Sequence, residues 1–484
     1  MPGQSLSSVV GREPLKHKAG YVWVLLVLLT GCATVDQRAG FADISAAVEA
    51  RRGKRAVWHL GTELDVRVAQ EVQALLQDTL TADGAVQVAL LNNRDLQAVY
   101  ADLGVAQADL VQAGLLKNPV FDGAVRFPVR GGPLELDLSA AVNFLDVFYV
   151  PLRKRVAAAR FEDVKLQVTG TVLNFATMVQ AAFYRHQANE QTLELQQTIV
   201  QALTASLEAA QRLHAAGNIT DLDLARERAL AEEAKVRLRA AESAVYQSRE
   251  HLNTLMGLWG PQTAWHIDKH LPDIPAQPLP FDELEARALR QSLDVASARQ
   301  RLLVAGEQVG VSRATALVPE LSLGAGGERE EGAWEVGPVF TFPIPLFDQG
   351  QARVGRAMAE LRRAQQEYYA LGVRVRATVR AVRERLQGAQ DRALYYRDIV
   401  LPLRERIVNE TQLQYNAMQR GIFELLRARE QQIQAAVAYI ETLRDYWLAR
   451  TDLGQILSGR LPTPNSFAAS RMEQPPNMGA NAGH

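Results

Sequence analysis

Few residues in this chain have types and spacings suited to covalent or metal chemistry. Cys32 is the only cysteine, so an intrachain disulfide is impossible and no thiolate cluster can form. His266 and His270 have i, i+4 spacing, but they flank Asp268 and Lys269 beside a proline-rich stretch and read as solvated side chains, not ligands. The sequence has no Gly-rich phosphate loop and no G-x-S-x-G elbow, so an enzyme has no positive support. The remaining polar groups of interest cluster where glycine interrupts two long runs. Thr220 and Asp221 follow Gly217-Asn218 and can cap the next helix. Tyr415 and Arg420 precede Gly421, and Phe423, Glu424 and Arg427 follow it.

The elements that must position these residues come in two matched sets, about two hundred residues apart. Each set is an alternating hairpin flanked by helical segments. The first hairpin spans Phe121–Phe144, with Phe121, Val125, Leu134, Leu136, Leu138, Val142 and Phe144 interleaved with polar or small residues. The second spans Leu321–Phe342, where Leu321, Leu323, Trp334, Val336, Phe340 and Phe342 do the same. A period of two with one apolar face marks a half-buried soluble sheet or a membrane barrel that is polar inside.

The helical stretches are long. After Pro151 no proline occurs until Pro261, and Val168, Val172, Phe175, Val179 and Ala182 recur at helical spacing. A continuous helix from Pro151 to Gly217 is on the order of 100 Å long at about 1.5 Å per residue, which no compact globule needs. Helical segments are expected over Val86–Leu116 and Leu289–Leu317. A second long helix is expected from Gln351 to Arg420 with a kink at Pro402, then a return helix to Leu457. The basic cluster Arg51, Arg52, Lys54 and Arg55 reads as a solvated face.

The N-terminus reads as an address. Arg12, Lys16 and Lys18 precede an apolar run from Tyr21 to Leu29, which ends in Leu29-Thr30-Gly31-Cys32. A basic region, a short apolar run and a small-residue site form a secretory signal. The four-residue pattern resembles the bacterial lipobox, which implies a lipid on Cys32 as first residue of the mature protein. Ala33 follows, with no aspartate there, which suggests sorting to the outer membrane. Stable anchoring by acyl chains needs more than one chain, at roughly 0.8 kcal/mol per buried methylene.

The chain has 484 residues and a formal net charge of −1. That charge gives no support to a nucleic-acid partner. No second apolar run approaches twenty residues, so any membrane crossing after processing falls to the strands. Four strands cannot close a barrel, and an open edge in lipid leaves backbone groups unpaired at several kcal/mol each, so a membrane reading forces oligomerisation. The expected division is a signal peptide over 1–31 and an N-terminal periplasmic segment over 32–84. A first repeat follows over 85–270, with its hairpin at 120–145, then a proline-rich linker over 271–281. A second repeat covers 282–458, with its hairpin at 320–343, and a disordered tail covers 459–484.

The duplicated plan, the Leu29–Cys32 pattern and the two glycine-marked tips together resemble the TolC-like outer-membrane efflux family, over about Val86 to Leu457. The resemblance implies a mainly α protein with a membrane β-barrel. Three protomers would supply four strands each to one twelve-stranded barrel, above a long α-helical coiled-coil tunnel. It implies an outer-membrane channel lipoprotein that extends into the periplasm as passive exit duct of a tripartite export system. A periplasmic adaptor and an inner-membrane pump would be its partners. It implies a latch of Thr220, Asp221, Tyr415 and Arg420, and a constriction at Phe423, Glu424 and Arg427. Arg427 stands where the family usually has a second acid. No cofactor is expected beyond the lipid on Cys32. The alternatives are a structural periplasmic coiled-coil lipoprotein with soluble sheets and a diffusive porin; the long helices argue against the porin. Drugs, metal ions and small peptides all fit such a lumen as cargo.

Overall fold

Alternating strands bounded by Pro and Gly, and proline-free runs with apolar residues at helical spacing, fold into a four-stranded sheet above a bundle of long helices. The computed structural model describes residues 34–36, 38–127, 129, 134–275, 283–316, 318, 320–330 and 332–462. The signal sequence, Cys32, the Arg130–Pro133 turn, Pro319, residues 276–281 of the linker and the tail beyond 462 lie outside the described residues.

The elements run as follows. α1 (Phe41–Arg52) and α2 (Glu63–Gln77) lead through β1 (Thr79–Leu80) to α3 (Ala82–Asn92) and α4 (Arg94–Ala113). β2 (Val120–Arg126) and β3 (Glu135–Asn143) form the first hairpin. α5 (Asp146–Ala215) descends, α6 (Asp221–Met256) returns, and β4 (His266–Ile267) pairs in parallel with β1. The plan then repeats. α7 (Leu284–Gln291) and α8 (Leu293–Ala314) lead to the second hairpin, β5 (Ser322–Glu330) and β6 (Ala333–Thr341). α9 (Gln351–Tyr395) continues through a π-helical turn (Tyr396–Val400) into α10 (Leu401–Asn416), and α11 (Ile422–Leu457) returns.

The two hairpins join through β3 and β5 into one antiparallel sheet of order β2-β3-β5-β6. Opposed residues share a face. The register therefore gathers Phe121, Val125, Leu136, Leu138, Val142, Leu323, Val336 and Phe340 on one side. Asp122, Asp137, Ser139, Glu328 and Glu335 share the other, where Arg126 lies 3.7 Å from Glu328. The apolar face is open, with Phe121 78% and Val336 77% exposed. Edge strands β2 and β6 have no partner on their outer sides among the described residues.

α5 is unbroken over 70 residues, on the order of 105 Å at about 1.5 Å per residue. It starts before Pro151, at Asp146, whose buried carboxylate accepts from Lys117 N (3.1 Å) and pairs with Arg153 (3.2 Å). That contact fixes the base of the first hairpin onto the helix. The kink expected at Pro402 is taken up by the π turn just before it, since proline cannot donate to the ladder and crowds the preceding turn.

Four sequence expectations need correction. Val86–Leu116 is two helices, not one. Asn93 breaks it, accepting from Leu96 N (3.0 Å) as N-cap while its amide donates to Leu255 O (3.1 Å). Leu289–Leu317 is likewise divided at Ser292, which accepts from Val295 N (3.1 Å). The basic cluster is not simply a solvated face. Arg51 donates to Gln291 O (2.9 Å) and Ser458 O (2.8 Å), and Arg52 to Gln180 (3.3 Å) and Thr177. α1 thereby joins the first repeat to the second. The first residues assigned to the tail are ordered: Arg460 pairs with Asp294, and Leu461 N donates to the same carboxylate (2.8 Å).

The repeats meet in matching ways. Gly257 ends α6 at φ 67° against Asn92 and Asn93, where a Cβ would come within 3.0 Å of Asn92 O. Gly459 ends α11 at φ 95° against Gln291. Only glycine adopts such a conformation at so close an approach without strain. The core lies at this level, built chiefly from α1, α3, α4, α5, α6, α9 and α11 around Tyr100, Trp265, Leu386 and Tyr446. His186 of α5 is fully buried there. Its Nδ1 lies 2.8 Å from Ser248 Oγ, and its ring packs edge-on to Trp265. Burial first, and Arg249 second, push its pKa down to about 4.

Candidate functional site

The far ends of the helical pairs carry the residues singled out in the sequence. Each end is a tight turn between a descending and a returning helix, and the two turns have the same backbone. After α5, Gly217 takes φ 75°, Gly217 N donates to His214 O (2.9 Å) and Asn218 N to Leu213 O (2.9 Å). After α10, Met418 takes φ 59°, Met418 N donates to Tyr415 O (2.9 Å) and Gln419 N to Gln414 O (2.9 Å). These paired bonds satisfy the last carbonyls of each helix.

At the first tip Thr220 is the N-cap of α6, as its type and place suggest. Its Oγ1 accepts from Asp223 N (3.2 Å) and donates to the Asp223 carboxylate (2.7 Å), which also accepts from Thr220 N (3.3 Å). This is a capping box, which satisfies two otherwise orphaned amides. Asp221, beside it, lies 2.7 Å from His214 Nε2. That aspartate side chain is 97% exposed, so the contact ties the two helices at a point fully open to solvent.

The second tip has no such closure. Gly421 is the N-cap of α11 and has no side chain to cap with. Glu424 stands where Asp223 stands in the first tip, and it turns instead to Arg420, at 2.6 Å. Arg420 also donates through Nε to Gln414 Oε1 (3.1 Å). α10 ends at Asn416, short of the expected Arg420. Arg420, Glu424 and Arg427 line one open cleft of about 260 Å³ with Ile407, Thr411 and Gln414. Phe423 lies outside that lining and is 36% exposed.

Within the protomer, then, Asp221 is held by His214 and Arg420 by Glu424. Each member of the expected latch pair has a partner on its own tip. Tyr415 is half-buried on the last turn of α10, and its carbonyl accepts the Met418 amide. Reading the sequence missed His214, Asp223 and Gln414. The Asp223 signal was available, since Thr220 with an acid three residues on is a capping pattern. His214 and Asp221 are seven residues apart across a turn, a spacing with no periodic signature.

Among the described residues no group of three or more His, Cys, Asp or Glu could hold a metal ion. His266 is exposed in β4, and His270 lies 3.2 Å from Glu194 with its side chain 58% exposed. No helix among the described residues is long and apolar enough to cross a membrane, which says nothing of strands.

Comparison with known proteins places this architecture. Residues 284–459 match the family model described as outer membrane efflux protein. The chain is 30% identical over 424 residues to the pyoverdine export outer membrane protein OpmQ of Pseudomonas putida, covering 76% of this chain and 86% of that protein. It is 24% identical over 391 residues to the cobalt-zinc-cadmium resistance protein CzcC of Cupriavidus metallidurans, covering 78% of this chain and 90% of that one. The fold is similar to the crystal structure of the Campylobacter jejuni CmeC outer membrane channel. The TM-score is 0.62 at 17% identity, over 81% of this chain and 89% of the other.

Proposed function

The chain belongs to the outer membrane efflux protein family, and from that premise we propose that three lipidated copies form one export duct gated at its periplasmic helix tips. As a family member it is an outer-membrane channel of an efflux system, a passive conduit. The observation that carries the assembly is the sheet. Four strands present an open apolar face and two unpaired edges, a state that neither water nor lipid tolerates in a lone protomer. Joining β6 of one copy to β2 of the next removes every edge, and three copies give twelve strands. The acidic and small residues of the opposite face then line the lumen. α5, of about 105 Å, carries the duct across the periplasm, where an adaptor and an inner-membrane pump engage it. The lipid on Cys32 is a second anchor beside the barrel.

The relatives point to cargo classes without choosing between them: one is named for pyoverdine export, the other for resistance to cobalt, zinc and cadmium. The tips supply the gate. Asp221 of one hairpin and Arg420 of another are exposed partners of opposite charge, and a charge-assisted bond between them closes the end. Thr220 and Tyr415 flank that contact, and Phe423, Glu424 and Arg427 narrow the opening behind it. Because Arg427 alternates with Glu424, the constriction carries balanced charge and has no purely acidic ring.

Native mass measurement in detergent should give three chains, and Cys32 should carry the mass of its acyl groups. In planar bilayers Asp221→Ala and Arg420→Ser should each raise single-channel conductance. The double variant should add little more, since both changes remove one interaction. A stable monomer with intact strand content would reject the barrel; unchanged conductance in both single variants would reject this gate.

A further inference from the structure

The pair at the first tip gives the gate a chemistry of its own. Asp221 reaches His214 Nε2 at 2.7 Å. His214 sits in the last turn of α5, where the helix dipole favours a cation. At the matching place in the second tip stands Tyr415, 201 residues on, which has no imidazole. The arrangement is therefore particular to one tip. The charged groups around His214 are few. On its own helix Arg212 precedes it by two residues. Across the turn α6 presents Asp221, and Asp223, which is engaged by Thr220 and lies 3.9 Å from Arg226. Among the described residues no acid of α10 or α11 pairs with His214.

We propose that His214 competes with Arg420 for Asp221 in a proton-dependent way, so that acidification favours the open periplasmic end. The inference rests on the gate reading above and assigns that gate its regulation. Imidazolium holds the aspartate as an ion pair, and neutral imidazole holds it only as an uncharged donor. As pH falls, Asp221 is drawn back onto its own tip. Arg420 then keeps its contact with Glu424, already 2.6 Å long in this protomer. Both halves of the latch are thus satisfied within their own hairpins, and nothing binds one hairpin to the next. As pH rises, Asp221 is released to Arg420 and the end closes. Exposed ion pairs are weak, so the change expected in the open-to-closed ratio is roughly two- to fivefold per protomer, compounded over three.

The test compares open probability of the full-length trimer in planar bilayers at about pH 5.5 and about pH 7.5. The parent channel should open more at the lower pH. His214→Asn should lose that rise, because its amide is shorter than the reach to Nε2 and neither takes a proton nor holds Asp221. His214→Lys should be open at both pH values, because its charge is fixed. Native mass measurement confirms that each variant is still a trimer. An acid-induced rise that survives in His214→Asn, or a His214→Lys channel as closed as the parent at pH 7.5, overturns the proposal. Arg420→Ser at pH 7.5 separates the two claims. If it opens the channel and His214→Asn keeps the rise, the gate stands and His214 has no part in it. If it does not open the channel, the gate reading fails and the proposal falls with it.

Discussion

The two helix tips share one backbone and differ in almost every side chain that could hold it. Met418 stands 201 residues after Gly217, as Gly421 does after Thr220 and Glu424 after Asp223. The backbone bonds of the two turns match one for one. The first tip puts glycine where φ is positive and a threonine where a cap is needed. The second puts a methionine in the left-handed position and glycine at the cap. A side chain in that conformation costs roughly 1–2 kcal/mol, and glycine at an N-cap leaves an amide without its side-chain acceptor. The path of the chain at a tip is set by the need to satisfy terminal carbonyls. Its firmness is set by side chains, and there the second tip is the softer one. Softness suits the gate proposed for the hairpin that carries Arg420, Glu424 and Arg427, since a gate must rearrange at low cost.

Both tips should be soft relative to the body of the molecule, and pH offers the largest way to test that. His186 lies in the body on the same helix as His214, and burial and Arg249 hold its pKa near 4, below the ordinary 6.5. Around it are Ser248 and Arg249 from α6, Trp265, and Glu190 at 4.0 Å on its own helix. The unfolded chain takes a proton at this site as pH falls below 6.5, while the folded chain does not until near 4. Stability from this site is therefore full above pH 6.5 and declines as pH falls toward 4. The loss is roughly 3 kcal/mol, at about 1.4 kcal/mol per pH unit between the two titrations. Protection factors of the amides around 180–190, which take account of the intrinsic slowing of exchange in acid, should fall as pH is lowered toward 4, and His186→Leu should flatten that dependence. A tip whose exchange depends on acid as steeply as the body would contradict the division.

The next test exchanges the residues in the left-handed position. Gly217→Met should weaken the first tip by about 1–2 kcal/mol, seen as faster exchange of the Asn218–Leu224 amides. Met418→Gly should strengthen the second by about 1 kcal/mol or less, part of the gain being offset by the freedom glycine has in the unfolded chain. If Met418→Gly leaves exchange at the second tip unchanged, the strain assigned to that tip is absent.

The cap at the first tip is the third test. Thr220→Ala removes both hydroxyl bonds of the capping box and should cost about 1 kcal/mol locally. It should also loosen Asp221, so exchange at Leu222–Leu224 should quicken. No change there would mean that the His214–Asp221 contact, and not the cap, fixes the start of α6.

How much of this was legible in the sequence follows from how local each cause is. The hairpins were readable because a period of two is written in consecutive residues from Phe121 to Phe144 and from Leu321 to Phe342. The long helices were readable because proline is missing from Leu152 to Gly260 and from Gln351 to Leu401. The breaks at Asn93 and Ser292 were not. Their amino acids are permitted inside a helix, and what selects the cap at Asn93 includes the carbonyl of Leu255, 162 residues away, which accepts from its side-chain amide. The role of Arg51 was hidden for the same reason: its acceptors, Gln291 O and Ser458 O, lie 240 and 407 residues along the chain. At the second tip glycine does not end the descending helix: that helix ends at Asn416, Met418 makes the turn, and Gly421 begins the next helix. At the site itself, Thr220, Asp221, Arg420 and Glu424 were placed at the tips from the sequence, while the partners they choose within the protomer were not.

The smallest expected effect sharpens the comparison most, because it converts one tip into the other. Gly421 already has N-cap geometry, φ −79° and ψ 159°, close to Thr220 at −82° and 162°. Glu424 already occupies the third helical position, and its amide donates to Gly421 O at 3.2 Å. Gly421→Ser would therefore complete a capping box without moving the backbone. The gain in local stability should be only a few tenths of a kcal/mol, the usual difference between glycine and serine at a cap. The consequence for charge is larger than for stability. In a capping box the Glu424 carboxylate turns to the amide of residue 421, as Asp223 turns to Thr220, and so leaves Arg420. Arg420 is then free to seek Asp221 on a neighbouring hairpin. Exchange of the Ile422–Leu425 amides should slow slightly, and single-channel conductance should fall below that of the parent. Slower exchange with unchanged or higher conductance would mean that Glu424 does not compete for Arg420, and that the difference between the tips is one of stiffness alone.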